Sequence, residues 1–304
     1  MLRIILISIL CLLTCVINAQ LSTGERPPGL EMLKNDRSIA VQTLPVPDIN
    51  KIKAEDAGED LQSGPVSFAY GIRVNYTPYN SGSWHTMDDG SKLWRLKVKL
   101  PGALSSNTYY DKLWIPDGTK FFLYNDETQQ HIGAITSEFL KGNSKEPKKF
   151  ATSLIYGETV TFEYWQPAFI TDSAIISISR IDYGYRNINN PYDTGAKGLF
   201  GSLECNNCIN DPVGADWQNE KDAIARITFP VGGKSRFATG ALINNTSNEF
   251  IPYFLTANHA LLIAGLDALG DTDASQWVFH WKYEFYFCYP TDYDPLIYQP
   301  QGQL

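Results

Sequence analysis

The chain has 304 residues, and its 25 Lys and Arg against 33 Asp and Glu give a formal net charge of −8. This balance argues against a nucleic-acid-binding protein, which needs basic patches to neutralise phosphates, and against docking on an anionic membrane surface. Hydrophobic residues make up 43% of the chain, enough for a packed core, and aromatic residues make up 13%, which favours strands over helices.

The first 19 residues have the layout of a secretory signal peptide. Residues 1–3 are a short basic start, an apolar run follows from Ile4 to Val16, and Ala19 is a small residue suited to cleavage. The alternative is a transmembrane anchor, but the run is shorter than the roughly 20 apolar residues that a span requires. We therefore expect cleavage after Ala19 and a secreted protein, extracellular or periplasmic, without a membrane span.

Residues 20–64 are expected to form a polar linker. The proline pair 27–28, Pro45 and Pro47 interrupt the segment, and a charged stretch covers residues 56–60. Because no sustained period of 2 or 3.6 residues appears, the segment predicts neither a strand nor a helix.

Residues 65–186 have the pattern of many short strands. Apolar residues alternate with charged or polar ones at 94–100 and again at 160–164, which predicts half-buried strands with their charged faces in water. Turn sequences that end in glycine, at 88–90 and 116–118, separate such stretches. Short strands at this spacing predict a β-sandwich.

A joint rich in Gly and Asn, residues 187–204, separates this unit from a second β-rich segment, residues 205–304. The stretch 260–269 has the best claim to a helix in that segment. Strand patterns recur there at residues 224–229, 238–243, 251–256 and 277–287. The fold class is therefore predicted to be all-β.

One of these strands leads to a histidine with informative surroundings. Residues 253–259, Tyr-Phe-Leu-Thr-Ala-Asn-His, resemble the catalytic-histidine segment of secreted serine endopeptidases of the lysyl-endopeptidase type. Residues 237–245, which include Thr-Gly-Ala-Leu-Ile-Asn-Asn, resemble the preceding strand of that family. Residues 216–227 resemble its first barrel strand, and residues 277–284 resemble the strand beyond the histidine. Four matches in the family's order are more specific than any one alone.

The earlier unit also resembles a part of these precursors, namely the N-terminal pro-region that precedes the peptidase domain in bacterial relatives. The motifs that carry this resemblance lie at residues 82–84, 93–96, 101–103, 123–125, 150–152 and 184–186. The resemblance implies a β-sandwich pro-domain at 65–186, followed at 205–304 by an incomplete chymotrypsin-like β-barrel that consists of the first barrel only.

The resemblance also implies a mechanism. A Ser hydroxyl attacks the peptide carbonyl, a His takes its proton and returns it to the leaving amine, an Asp orients the imidazole, and backbone N–H groups bind the oxyanion. His259 matches the position of the base. Protein or peptide is the implied substrate, a monomer is expected, and no cofactor or metal is implied.

The Asp and Ser partners of the triad are not evident in the sequence. They follow the histidine in this fold, and no Gly-Asp-Ser-Gly or similar turn occurs in the chain. Asp292 and Asp294 are the acidic candidates, but they lie in an acidic, proline-rich stretch near the family's outer strand. The sequence therefore predicts a truncated or interrupted precursor that is inactive on its own.

Three cysteines follow the signal peptide. Cys208 and Cys288 are the candidate disulfide, and Cys205, which matches a family position, is left unpaired here. Zinc or redox chemistry at the Cys-x-x-Cys spacing is the alternative, but no second pair of ligands accompanies it. Lys197 is a candidate activation site because the resemblance places the mature start nearby, and an ordinary linker lysine explains it equally well.

Two other functions stay open. The sandwich would be a non-enzymatic folding aid, inhibitor or adhesion domain if the peptidase segment were a decaying remnant. A β-rich surface-binding protein unrelated to peptidases is the third hypothesis, and it requires the four ordered matches to be accidental.

Overall fold

The structure is a computed structural model, and it describes residues 22–32, 39–60, 65–140, 145–188, 216–247, 249, 251–257, 260 and 274–281. These residues are mainly strands arranged in sheets, which confirms the predicted all-β fold class. Within the described ranges the sheets are open and no closed barrel is present.

The elements run in chain order as α1 (Pro28–Met32), β1 (Val41–Thr43), α2 (Ile49–Asp60), β2 (Val66–Tyr76), β3 (Ser83–Thr86), β4 (Lys92–Lys99), β5 (Ser105–Ser106), β6 (Thr108–Trp114), β7 (Lys120–Tyr124), β8 (His131–Ile135), β9 (Lys148–Ala151), β10 (Ile155–Tyr156), β11 (Thr159–Gln166), β12 (Ile175–Gly184), α3 (Gln218–Lys221), β13 (Ile224–Val231), β14 (Lys234–Ile243), β15 (Tyr253–Thr256), a 3₁₀ helix (Ala274–Gln276) and β16 (Val278–Trp281). None of the helices in the described residues is long and apolar enough to cross a bilayer.

The first sheet has six strands in the order β1-β4-β11-β7-β8, and β3 pairs with the first half of β4 while β1 pairs with its last residues. Strands β4 and β11 are the two that the alternating pattern predicts, and they pair antiparallel with Phe162 opposite Leu96. The apolar residues of the two alternating stretches are buried and pack against the second sheet in one core, which includes Trp94 and Phe162 from the first sheet and Tyr110 and Ile178 from the second. This core is the interior of the sandwich.

The charged face of these strands is not all in water, contrary to the expectation. Lys99 is exposed, but Arg95 and Glu163 are buried. The reason is that α1 covers this face: the Gly29 N–H donates to Glu163 Oε1 at 2.8 Å, and the Tyr124 hydroxyl donates to Oε2 at 3.0 Å. Burial raises the pKa of Glu163, and these hydrogen bonds partly oppose that effect.

The segment expected to be a polar linker contributes α1, β1 and α2. Strand β1 adds parallel to β4, with Val41 opposite Lys97. Helix α2 buries Ile52 against the sandwich core and also buries Asp56. The apolar residues of α2 are too few to give a helical period, so packing partners distant in sequence determine this helix. The proposed linker boundaries remain a prediction.

The second sheet has ten strands and runs through both predicted units. Its order is β10-β5-β12-β2-β14-β13-β16, with β15 beside β14 and β6 between β12 and β9. Strand β2 belongs to the predicted pro-domain and β14 to the predicted peptidase segment. They pair antiparallel with Lys234 opposite Tyr70 and Ser235 opposite Ala69. The two predicted units therefore share one hydrogen-bonded sheet.

Candidate functional site

The strands that lead to the predicted catalytic base form a close hairpin. Strand β15 lies antiparallel to the second half of β14, with Thr256 opposite Gly240 and Phe254 opposite Leu242. A Cβ atom at Gly240 would lie 2.6 Å from the carbonyl oxygen of Leu255 and closer still to the Phe254 ring. The glycine of the Thr-Gly motif is thus required for the close approach of β15.

Substituting Gly240 with alanine is therefore expected to destabilise the chain by about 1–3 kcal/mol, because overpacking against a backbone oxygen forces the strands apart. Gly58→Ala is the matched control. It lies on an exposed part of α2 with open space around its Cα, so alanine there should stabilise by about 0.5–1 kcal/mol. Urea unfolding of both variants measures the difference, and a Gly240→Ala chain as stable as the wild type would contradict this packing.

Ala260, the residue that follows the Asn-His dipeptide, is part of the core. The Ala260 N–H donates to the Ala257 carbonyl at 3.0 Å, and Ala260 is fully buried. Ala260 packs in a cluster with buried residues of β13 and β16 and the segment just before β16, namely Ala225, Ile227, Phe229, Val231, Trp277 and Phe279. The residue after the Asn-His dipeptide is thus held in this cluster, and it donates a hydrogen bond to the residue before the dipeptide.

Aromatic rings form much of that cluster. Phe254 of β15 meets the rings of Phe279 and Trp281 edge-on, with centroids 4.9 and 5.8 Å away. Phe229 stacks on Trp277 at 5.0 Å. Such pairs contribute roughly 0.5–1.5 kcal/mol each beyond their buried area, so they hold β15 of the hairpin against β13 and β16.

His259 itself lies outside the described residues. The same is true of Ala19, of Lys197, of Cys205, Cys208 and Cys288, and of the acidic candidates, which are Asp292 and Asp294. Their predicted roles as base, processing sites, disulfide partners and triad acid therefore stay predictions. Within the described part of the chain, no group of three or more His, Cys, Asp and Glu side chains is arranged to hold a metal ion.

Residues 201–299 match the family model described as lysyl endopeptidase, C-terminal domain. The match includes β13 to β16 and the position of His259, and residues 65–186 lie outside it. The chain is thus similar, over about a third of its length, to the C-terminal domain of lysyl endopeptidases. No solved structure matches the chain.

Where β2 meets β14, the structure contains a buried polar network that the sequence did not indicate. Arg180 Nε donates to Asp182 Oδ1 at 2.6 Å, and the Ser235 hydroxyl donates to Asp182 Oδ2. The hydroxyls of Tyr109 and Ser235 are 2.8 Å apart. Burial, and next the charge of Asp182, raise the pKa of Tyr109, so this phenol stays neutral.

A second buried carboxylate binds Lys234, the residue that precedes Ser235 in β14. Asp56 of α2 accepts from Lys234 Nζ at 2.8 Å, from the Tyr185 hydroxyl at 2.6 Å and from Arg186 Nη2 at 3.1 Å. The Asp56 side chain is fully buried and that of Lys234 is 9% exposed. No local motif could have revealed these contacts, because Asp56 and Lys234 are 178 residues apart in the chain.

His280 of β16 is a further buried polar residue of the second sheet. Its Nδ1 lies 3.5 Å from the Ser153 hydroxyl and its Nε2 lies 3.4 Å from the Thr228 hydroxyl. Burial, and secondarily the positive charge of Arg226, lower the pKa of His280 well below 6.5. The imidazole is therefore neutral in the folded chain.

Acid is expected to destabilise the chain through His280. Below about pH 6.5 the unfolded chain binds a proton at this histidine and the folded chain does not, so stability falls by up to about 1.4 kcal/mol per pH unit. Above that pH both states are neutral and the residue contributes no pH dependence. His280→Gln, which does not titrate, should lose less stability between about pH 7.5 and 5.5. Equal losses in urea unfolding would contradict the assignment.

Proposed function

We propose that residues 205–304 are the histidine-bearing part of an exported serine endopeptidase, with His259 as the general base. The observation that carries the proposal is the match of residues 201–299 to the lysyl endopeptidase model. The Thr-Ala-Asn-His sequence at the end of β15 supports it, since this is the segment that resembles the family's catalytic-histidine turn.

In the proposed mechanism the imidazole of His259 removes the proton from a Ser hydroxyl as it attacks the peptide carbonyl, and then protonates the leaving amine. The β14–β15 hairpin and buried Ala260 would fix the backbone on both sides of the histidine, which is the positioning that general base catalysis requires. The 304 residues contain no Gly-Asp-Ser-Gly or similar turn for the nucleophile. We therefore expect the polypeptide of these residues alone to hydrolyse neither casein nor a Lys ester.

The test is to read the gene beyond codon 304 and to supply the segment with the triad Asp and Ser, from that reading frame or from a lysyl-endopeptidase relative, as a C-terminal extension. The extended chain is expected to hydrolyse casein, and His259→Ala should lower kcat by about 10⁴- to 10⁶-fold. His85→Ala is the control, because this exposed histidine of β3 lies in the sandwich. An extended chain whose casein hydrolysis survives His259→Ala would refute the assignment.

The processing and pairing of the chain form part of the same proposal. We infer removal of the signal peptide after Ala19, a pro-region at residues 65–186 and activation cleavage at Lys197. Cys208 would bond to Cys288, with Cys205 outside that pair. Intact-mass and peptide mapping of the secreted protein, with and without reduction, test each of these steps.

A second candidate function is a folding aid or inhibitor formed by the sandwich. The pairing of β2 with β14 favours it, because this contact joins the proposed pro-region directly to the strand that precedes β15. Adding residues 22–188 to a refolding relative tests it, and an unchanged yield and activity would remove both the chaperone and the inhibitor roles.

A further inference from the structure

Strand β2 exposes an acceptor edge to which β14 adds as a further strand. On its other side β2 pairs with β12, so the sandwich is complete up to β2 without β14. The first four residues of β14, Lys234 to Phe237, form the contact, and the Gly71 N–H donates to the Gly233 carbonyl at 2.8 Å. This is the geometry of strand addition, in which main-chain hydrogen bonds supply affinity and side-chain pockets supply specificity.

Two buried carboxylates, one on each face of the added strand, supply the specificity. Consecutive strand residues point to opposite faces, and here Lys234 meets Asp56 while the next residue, Ser235, meets Asp182. A slip of one residue would send every side chain of β14 to the other face. The order lysine then serine therefore fixes the register of β14 on β2.

We propose that residues 22–188 form a receptor for a β-strand that presents a lysine followed by a serine, and that this receptor holds β14 without needing a covalent connection to it. Two more contacts join β14 to the beginning of β2. Arg236 Nη1 donates to the Pro65 carbonyl at 3.0 Å, and the centroids of the Phe237 and Phe68 rings are 6.3 Å apart. The inference goes beyond the proposed function, because it makes no use of the catalytic base.

The experiment cuts the full chain after it has folded. A recognition sequence for a specific protease is introduced between residues 188 and 216, the intact chain is folded and cut, and the two pieces are run on a size-exclusion column. The wild-type pieces are expected to co-elute. Separation of the wild-type pieces under native conditions would overturn the proposal.

Matched lysine variants test the specificity. Lys234→Met should speed dissociation of the cut pieces at least about tenfold, because it leaves a buried carboxylate short of a partner. Lys145→Met is the control: Lys145 also forms an ion pair, with Asp172 at 2.7 Å, but both side chains are more than half exposed and lie within the sandwich piece. Equal dissociation rates for the two variants would contradict the receptor.

A competition assay on the wild-type chain covers the case in which Lys234→Met does not fold. A peptide with the sequence of residues 231–239 is added to the cut wild-type chain, beside a second peptide in which the lysine and the serine are exchanged. The native order is expected to displace the C-terminal piece at a concentration at least about tenfold lower. Equal potency of the two peptides would overturn the proposed register specificity. Because no assay here reads activity, the outcome is independent of the peptidase assignment.

Discussion

Replacing Asp182 with alanine is expected to lower the free energy of unfolding by about 3–5 kcal/mol, because it removes one partner of a buried ion pair. Asp182 is fully buried and the side chain of Arg180 is 7% exposed, so the guanidinium would lose its counter-charge in a place that water hardly reaches. The hydroxyl of Ser235 would lose its acceptor as well. Urea unfolding followed by tryptophan fluorescence measures the loss.

The matched control is Asp126→Ala. Asp126 pairs with Lys97 at 2.8 Å, a distance close to that of the Asp182 pair, but its side chain is 45% exposed. Solvent-exposed pairs contribute at most about 1 kcal/mol, so the control should change stability little. If the two variants were equally stable, the junction between β2 and β14 would not depend on the buried charge.

Replacing Phe229 with alanine is expected to cost about 3–5 kcal/mol, the usual range for removing a buried aromatic ring. Phe229 is fully buried, stacks on Trp277 and shares a cluster with Ala260, so the cavity would open next to the residue that follows His259. If His259 is the proposed base, the same variant in a chain extended with the triad Asp and Ser should lower peptidase activity more than its stability loss explains, because it loosens the packing of Ala260, the residue that follows His259.

Phe162→Ala is the companion variant in the sandwich core, where Phe162 is equally buried. Since β2 and β14 join the two regions in one sheet, both variants are expected to shift one shared unfolding transition. Hydrogen exchange in β11 and in β13 reports on each region separately. Two transitions, with each variant shifting only its own, would contradict cooperative unfolding of the shared sheet.

The sequence patterns predicted strands correctly in stretches that contain several apolar residues. The stretch at 160–164 lies in β11, and the stretch at 251–256 contains β15. Burial of Glu163 could not be predicted, because the group that covers it, the N–H of Gly29, is 134 residues away in the chain. Sequence periodicity reports the face that a strand presents, and it does not report which distant segment packs on that face.

The same limit explains what was missed at the candidate site. The predicted strand at 238–243 is the apolar second half of β14, whereas Lys234 to Arg236 are polar and gave no strand signal. They are strand residues because they pair with β13 across the Gly232-Gly233 turn, and buried carboxylates from α2 and β12 also bind Lys234 and Ser235. The motif could predict the histidine segment, but it begins after the polar half of β14, and the contacts of that half with Asp56 and Asp182 come from distant parts of the chain.

The pairing of β2 with β14 also determines how long one edge of β2 stays without a partner while the chain is synthesised. Pro65 and Arg236, which meet across this junction, are 171 residues apart. At synthesis rates of 5–20 residues per second, roughly 10–35 s separate the emergence of the two strands. Throughout that interval β2 has an uncovered row of N–H and C=O groups, which is a template for aggregation. Until β14 is synthesised, that edge of β2 is therefore open to pairing with a strand of another chain.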